Sequence, residues 1–135
     1  MRRWVRDRYF WLYAVGQIER AAAKIRAKGV ADDEEAWMDE QGPYSPALRD
    51  HVLRVADEGR YDALIFFSYR YWTTFRTLRP SKTPALLAPT AEDDGLYRLS
   101  LFRPVFEAAT QFAFNSVEER AMLEGAVGHP LPGLI

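Results

Sequence analysis

From Trp4 to Lys28, apolar residues recur at intervals of three and four: Val5, Tyr9, Leu12, Val15, Ile18, Ala22 and Ile25. The stretch holds no proline and a single glycine, so the spacing predicts one long helix with a narrow apolar stripe. Gly29 supplies a stop, and Lys24, Arg26 and Lys28 occupy the last turn, where the helix dipole favours cations. A short acidic helix capped by Asp32 and Asp33 is expected to reach Met38, before the turn residues Gln41-Gly42-Pro43. Ser45 and Pro46 then suit the cap and first position of a further helix, whose stripe runs Leu48, Val52, Leu53, Val55 and Ala56. Gly59 ends it.

The pattern then changes from a helical period to unbroken apolar runs. Leu64-Ile65-Phe66-Phe67, Ala85-Leu86-Leu87-Ala88 and Gln111-Phe112-Ala113-Phe114 are each bounded by turn signals, which predicts strands buried on both faces. Intervals of about 20 to 25 residues leave room for helical crossovers, so the strands should be parallel. Trp72 to Leu78 and Leu99 to Ala109 are the crossover segments, with Pro104 kinking the second or marking its start. Ser116 and Glu119 have capping-box spacing for a last helix, closed by Gly125 and Gly128. A Gly- and Pro-rich tail runs on to Ile135. The expected class is α/β, a parallel sheet flanked by helices with a helical N-terminal extension over residues 1–30 and one domain over residues 31–135.

Composition narrows the partners. The 135 residues suffice for one compact domain, and a net charge of −1 gives no reason to expect nucleic acid. Residues 1–28 carry eight Lys or Arg against two acids, whereas residues 29–62 carry three against ten. A basic amphipathic helix can lie on a membrane surface, but the narrow stripe favours packing on its own domain. Arg2, Arg3, Arg6 and Arg8 precede the apolar run from Tyr9, yet Asp7 interrupts them and no convincing A-x-A-like cleavage site follows. There is no cysteine, which removes disulfides and sulfur-ligated zinc and makes a reducing cytoplasm the expected compartment.

In an open parallel sheet, ligands bind beyond the carboxyl ends of the strands. That rule selects Ser68 to Thr74 after the first strand, Thr90 to Asp94 after the second, and Asn115 to Glu119 after the third. Tyr69, Tyr71 and Trp72 can stack on a sugar while Thr73 and the ring polar atoms meet its hydroxyls, or the rings can pack over the sheet edge. Glu92, Asp93 and Asp94 can supply a general base or oxygen ligands for a hard cation, although an exposed acidic turn is the commoner outcome. His51 and His129 read as surface or packing residues. No phosphate-binding glycine loop and no nucleophile elbow occurs, and the residues imply neither a cofactor nor a metal.

Four segments add a resemblance: Trp37 to Pro46, Tyr61 to Thr74, Pro89 to Asp94, and Phe114 to Arg120. Their order and spacing are similar to the acceptor-side domain of bacterial family 4 glycosyltransferases, which are retaining enzymes of the two-domain GT-B architecture. The resemblance covers residues 30 to 135. It implies an incomplete Rossmann-like parallel sheet belonging to an enzyme that moves a sugar from a nucleotide-sugar to an acceptor across an interdomain cleft. Family members hold the donor mainly through a C-terminal domain, which this chain ends before. Their opening strand and glycine-rich loop are also missing.

By the same resemblance, Pro89-Thr90-Ala91-Glu92-Asp93-Asp94 corresponds to a pattern that more often reads P-T-A-H-D-E, so Glu92 stands where a cleft histidine would be. Glu92 and Asp93 become the catalytic candidates. Tyr69, Tyr71, Trp72, Thr73, Asp94, Asn115 and Glu119 become the substrate-binding ones. A carboxylate in place of the histidine repels a donor phosphate. Lacking the donor-binding domain, the chain is expected to be inactive alone, as a gene fragment or one subunit of a split enzyme. Its expected partners are a separate donor-binding domain or a second copy, and an acceptor glycan or lipid-linked sugar. The alternative is a non-catalytic α/β domain that binds a glycan or a protein.

Overall fold

The computed structural model describes residues 36–135. The helix expected over residues 1–30, its Gly29 stop and the caps Asp32 and Asp33 lie outside the described residues. Residues 36–135 form an α/β unit built on a four-stranded, all-parallel sheet in the order β1-β2-β3-β4.

Helix α1 spans Pro46–Asp57, with the Ser45 hydroxyl accepting from the Leu48 N–H as the cap-then-proline sequence requires. Strand β1 is Leu64–Phe67, helix α2 Trp72–Leu78 and strand β2 Ala85–Ala88. Two single 3-10 turns, Leu96–Arg98 and Ser100–Phe102, lead into α3, Arg103–Ala108. Pro104 sits in the first turn of α3, where its missing N–H costs no hydrogen bond, so it marks a start and makes no kink. Strand β3 is Gln111–Ala113, and α4 runs Val117–Val127 until Gly128 takes a left-handed conformation and ends it.

The tail after α4 contains a fourth strand, β4, Gly133–Leu134. Its apolar run is too short for a period to be read. The strand exists because Phe112 and Phe114 donate their N–H groups to Pro132 and Leu134 carbonyls at 2.8 and 2.9 Å. Glu124 on α4 also accepts from the Leu131 N–H at 3.0 Å and fastens the incoming chain. Gly133 is required by close approach: a Cβ there would meet the Phe112 carbonyl and Cβ.

Neighbouring parallel strands are joined by right-handed crossovers, and a sheet in strict chain order then places its helices on one side. The packing agrees, since α1 contacts α2, α2 contacts α3 and α3 contacts α4 in a single layer. Between that layer and the sheet lies the core, centred on Phe102, whose ring meets Tyr69 edge-on at 4.7 Å and Trp37 and Phe75 at 6.2 Å. Leu87 and Phe112 are the fully buried strand residues, opposite each other in register.

The expectation that the strands are buried on both faces is corrected here. The alternate residues of every strand point away from the helices, leaving Ile65 and Phe67 63% and 67% exposed. Leu86, Ala88 and Ala113 share that face and are only partly covered. No described helix is long and apolar enough to cross a membrane.

Candidate functional site

The carboxyl ends of β1, β2 and β3 lie side by side because the strands are parallel and adjacent. Each run of candidates therefore meets the others at one edge. What draws them together is Glu119, an acid in the first turn of α4 that is only 3% exposed. Its carboxylate accepts from the Asn115 N–H at 2.6 Å and from the Ala91 N–H at 2.5 Å. The Asn115 side-chain amide adds contacts at 3.2 and 3.3 Å.

Half of the expected capping box is present, with the Ser116 hydroxyl accepting from the Glu119 N–H at 3.1 Å. The other half is redirected. In place of reaching back to its own cap, the Glu119 side chain satisfies backbone donors of two different loops.

Two non-glycine residues at this edge adopt left-handed backbone conformations, Ser68 with φ 60° and Thr90 with φ 50°. Each stands just after a strand, β1 and β2 respectively. Such conformations cost of order 1–3 kcal/mol for a residue with a Cβ, and they gather where a chain is shaped for binding. Ser68 is buried and tied down by its N–H to the Ala88 carbonyl at 2.9 Å, while Thr90 is exposed. Sequence reasoning placed both in the right loops but gave no sign of the strain, since neither residue type signals a left-handed turn.

The three adjacent carboxylates diverge. The Asp94 side chain turns inward, accepting from Arg70 at 2.9 Å and from the Leu96 N–H at 3.0 Å. Glu92 points to solvent with its side chain 78% exposed, 3.9 Å from Arg70. Asp93 faces a shallow depression of about 590 Å3, with Tyr97 and Arg98 beside it and the small residues Ala121 and Gly125 of α4 opposite. Among the described residues, no group of three or more His, Asp or Glu is placed to hold a metal ion.

The aromatic residues divide between packing and exposure. Tyr69 is fully buried between Phe102 and Phe106, and burial together with the Asp94 charge pushes its phenol above the ordinary range. Its hydroxyl has no hydrogen-bond partner. Trp72 is 3% exposed, covered by Tyr44 at 4.6 Å, with its indole N–H donated to Asp39 at 2.9 Å. Neither ring can stack on a ligand in this arrangement, because both start or precede a helix that packs on the core. Tyr71 is 47% exposed and remains available. Thr73 is displaced toward a second, 280 Å3 groove shared by α1 and β1. Asn115 stays at the edge, exposed, with its amide turned to Glu119. His51 and His129 are both exposed and remote from this edge in the fold's layout.

The electrostatics of the edge are one-sided. Across residues 68–74, 90–94 and 115–119, Arg70 is the single cation against Glu92, Asp93, Asp94, Glu118 and Glu119. Arg70 is itself engaged by Asp94 and Glu92. A surface of this sign repels phosphates and offers hydrogen-bond acceptors to hydroxyl donors.

No family model matches the chain, and neither a curated protein nor a solved structure matches it. The class that the fold defines is a partial Rossmann-like α/β domain with its candidate site at the carboxyl edge of the sheet.

Proposed function

We propose that this domain is the acceptor-side portion of a two-domain GT-B glycosyltransferase, resembling family 4, and binds a neutral, hydroxyl-rich acceptor at the carboxyl edge of its sheet. The observation that carries the reading is the acidic edge held together by Glu119, in whose three loops the one cation, Arg70, is already paired, while Arg98 beside Asp93 meets the Tyr97 hydroxyl. Such an edge suits a sugar, whose hydroxyls donate to carboxylates and whose ring can lie on Tyr71. It does not suit the diphosphate of a nucleotide-sugar, so the donor belongs to a second domain. Glu92 and Asp93 face outward, where such a domain would close over them, and act as acceptor-side acid–base or positioning groups only in that assembly. The isolated domain then has no transferase turnover, and the cytoplasm, the expected compartment of a cysteine-free chain, is where it works.

A non-catalytic glycan-binding domain is the second reading. It is favoured by the solvent exposure of Glu92, whose side chain stands in open water and is not enclosed by the domain. Calorimetry separates donor from acceptor binding: the proposal expects heat with neutral oligosaccharides and none with a nucleotide-sugar. Tight nucleotide-sugar binding by this chain overturns the assignment to the acceptor side. Transfer activity restored by adding a donor-binding domain decides between the enzyme and the binding module.

A further inference from the structure

The flank formed by α1 and the end of α2 is opposite in sign to the carboxyl edge. A depression of about 460 Å3 there is lined by Arg49 of α1 and by Phe75, Arg76, Arg79 and Pro80 at the end of α2. Phe75 is fully buried and forms a fixed floor. The Arg76 and Arg79 guanidinium groups lie over its ring, 5.3 and 4.7 Å from the centre. The two charges therefore stand no more than about 10 Å apart, one Debye length at ordinary ionic strength, so salt screens their repulsion only in part.

Helix dipoles account for some of this grouping. The carboxyl end of α2 favours cations, which suits Arg76 and Arg79. Arg49 is placed against that rule. Its N–H closes the first turn of α1 on the Ser45 carbonyl at 3.1 Å, at the end where a helix favours acids. The acid beside it is the next residue, Asp50, which accepts from the Arg49 Nε at 2.8 Å in an exposed pair of the kind that contributes little. Arg76 donates to Asp39 at 2.8 Å, and Asp39 also accepts the Trp72 indole N–H. A guanidinium carries five donors, so the Arg76 pair can persist beside a ligand. Neither acid lines the depression.

We infer that this depression binds a phosphomonoester, with the three unesterified oxygens of the phosphate meeting Arg49, Arg76 and Arg79. Guanidinium forks match phosphate oxygens in both geometry and charge. A concave cluster of one sign over an apolar floor also concentrates such a ligand. Charge selects the monoester, which near pH 7 carries close to two negative charges. Each phosphate of a nucleotide-sugar is esterified on two sides and holds a single charge, so it is not the ligand here. The depression falls within the range of roughly 300–1,000 Å3 typical of small-ligand sites, which leaves space for the organic group. The inference stands apart from the proposed function and fails or survives without it.

The test follows backbone amides of the full chain during titration with glycerol 3-phosphate, with its methyl diester and with a nucleotide-sugar. Glycerol 3-phosphate is expected to shift the amides of Arg49, Arg76 and Arg79 to saturation, the diester to bind at least about fivefold more weakly, and the nucleotide-sugar to leave them unmoved. Arg49→Gln and Arg79→Gln should each weaken the monoester at least about fivefold, whereas Arg103→Gln, on α3 and outside the depression, should not. Should either Gln variant fail to fold, Lys at the same position replaces it and still weakens binding, because a point charge cannot hold two oxygens as a fork does. Sedimentation with vesicles of equal parts phosphatidylcholine and phosphatidic acid separates the sources of the phosphate. Sedimentation lost in Arg49→Gln and Arg79→Gln assigns it to a lipid headgroup, and binding of the soluble monoester without sedimentation assigns it to a metabolite. Absence of both overturns the inference, as does equal binding of the diester, binding of the nucleotide-sugar in the depression, or an Arg103→Gln effect as large as that of Arg49→Gln.

Discussion

The Glu119 carboxylate accepts a hydrogen bond from the Ala91 N–H, 28 residues earlier in the chain, at 2.5 Å. One buried acid on α4 thereby holds the loop after β2 against the loop after β3, where its second bond is made to Asn115. Glu119→Ala leaves those donors without an acceptor, and a loss of about 2–4 kcal/mol is expected from chemical denaturation. Glu119→Gln keeps one acceptor oxygen and should lose about half as much. An equal loss for both would mean that packing, and not hydrogen bonding, explains the residue.

Thr90 is exposed and left-handed, with φ 50°. Thr90→Gly removes the Cβ strain while adding freedom to the unfolded chain, so the net change is expected to lie between zero and a gain of about 1 kcal/mol. If the strain shapes the edge, saccharide binding weakens in the same variant. Stability and affinity should therefore move in opposite directions, which thermal denaturation and calorimetry on one preparation would register.

Gly133 faces the backbone of Phe112 at a distance that admits no side chain. Gly133→Val should push β4 off β3 and uncover Phe112 and Phe114, whose rings stack at 5.1 Å. A loss of roughly 1–3 kcal/mol is expected, with increased hydrogen exchange at Phe112 and Phe114 N–H. Unchanged protection of those two amides would show that β4 contributes nothing to the sheet.

Arg120 and the Leu131 N–H hold the Glu124 carboxyl below its usual range. By linkage, a lowered folded-state pKa adds stability above the unfolded value of 4.5, and that share is lost as pH falls through the folded value. Glu124→Gln should therefore be less stable than the parent at pH 7 and close to it at pH 3. Denaturant midpoints at the two pH values check this, and a gap that widens in acid would contradict it.

Much of the fold was legible because its signals are local. The runs Leu64–Phe67 and Ala85–Ala88 and the Ser45-Pro46 cap stand where periodicity and turn chemistry put them. Strand β4 was not legible, because two residues have no period and its place is set by Phe112 and Phe114 from across the sheet. The uncovered face escaped for a similar reason. An apolar run such as Leu64–Phe67 declares burial on both sides, but whether a helix covers each side depends on strand order, which no local pattern encodes. At the site, the three loops were placed correctly, whereas burial of Tyr69 and Trp72 depends on Phe102, Phe106 and Tyr44, all distant in sequence.

The central claim is that the acidic carboxyl edge takes a neutral saccharide and refuses the nucleotide-sugar. Backbone amide resonances monitored during titration of the full chain test it most directly. The account predicts that neutral oligosaccharides shift the amides of Tyr71, Ala91 to Asp93 and Asn115, while a nucleotide-sugar leaves them unmoved. Shifts at these residues with the nucleotide-sugar, or none with any saccharide, would contradict it.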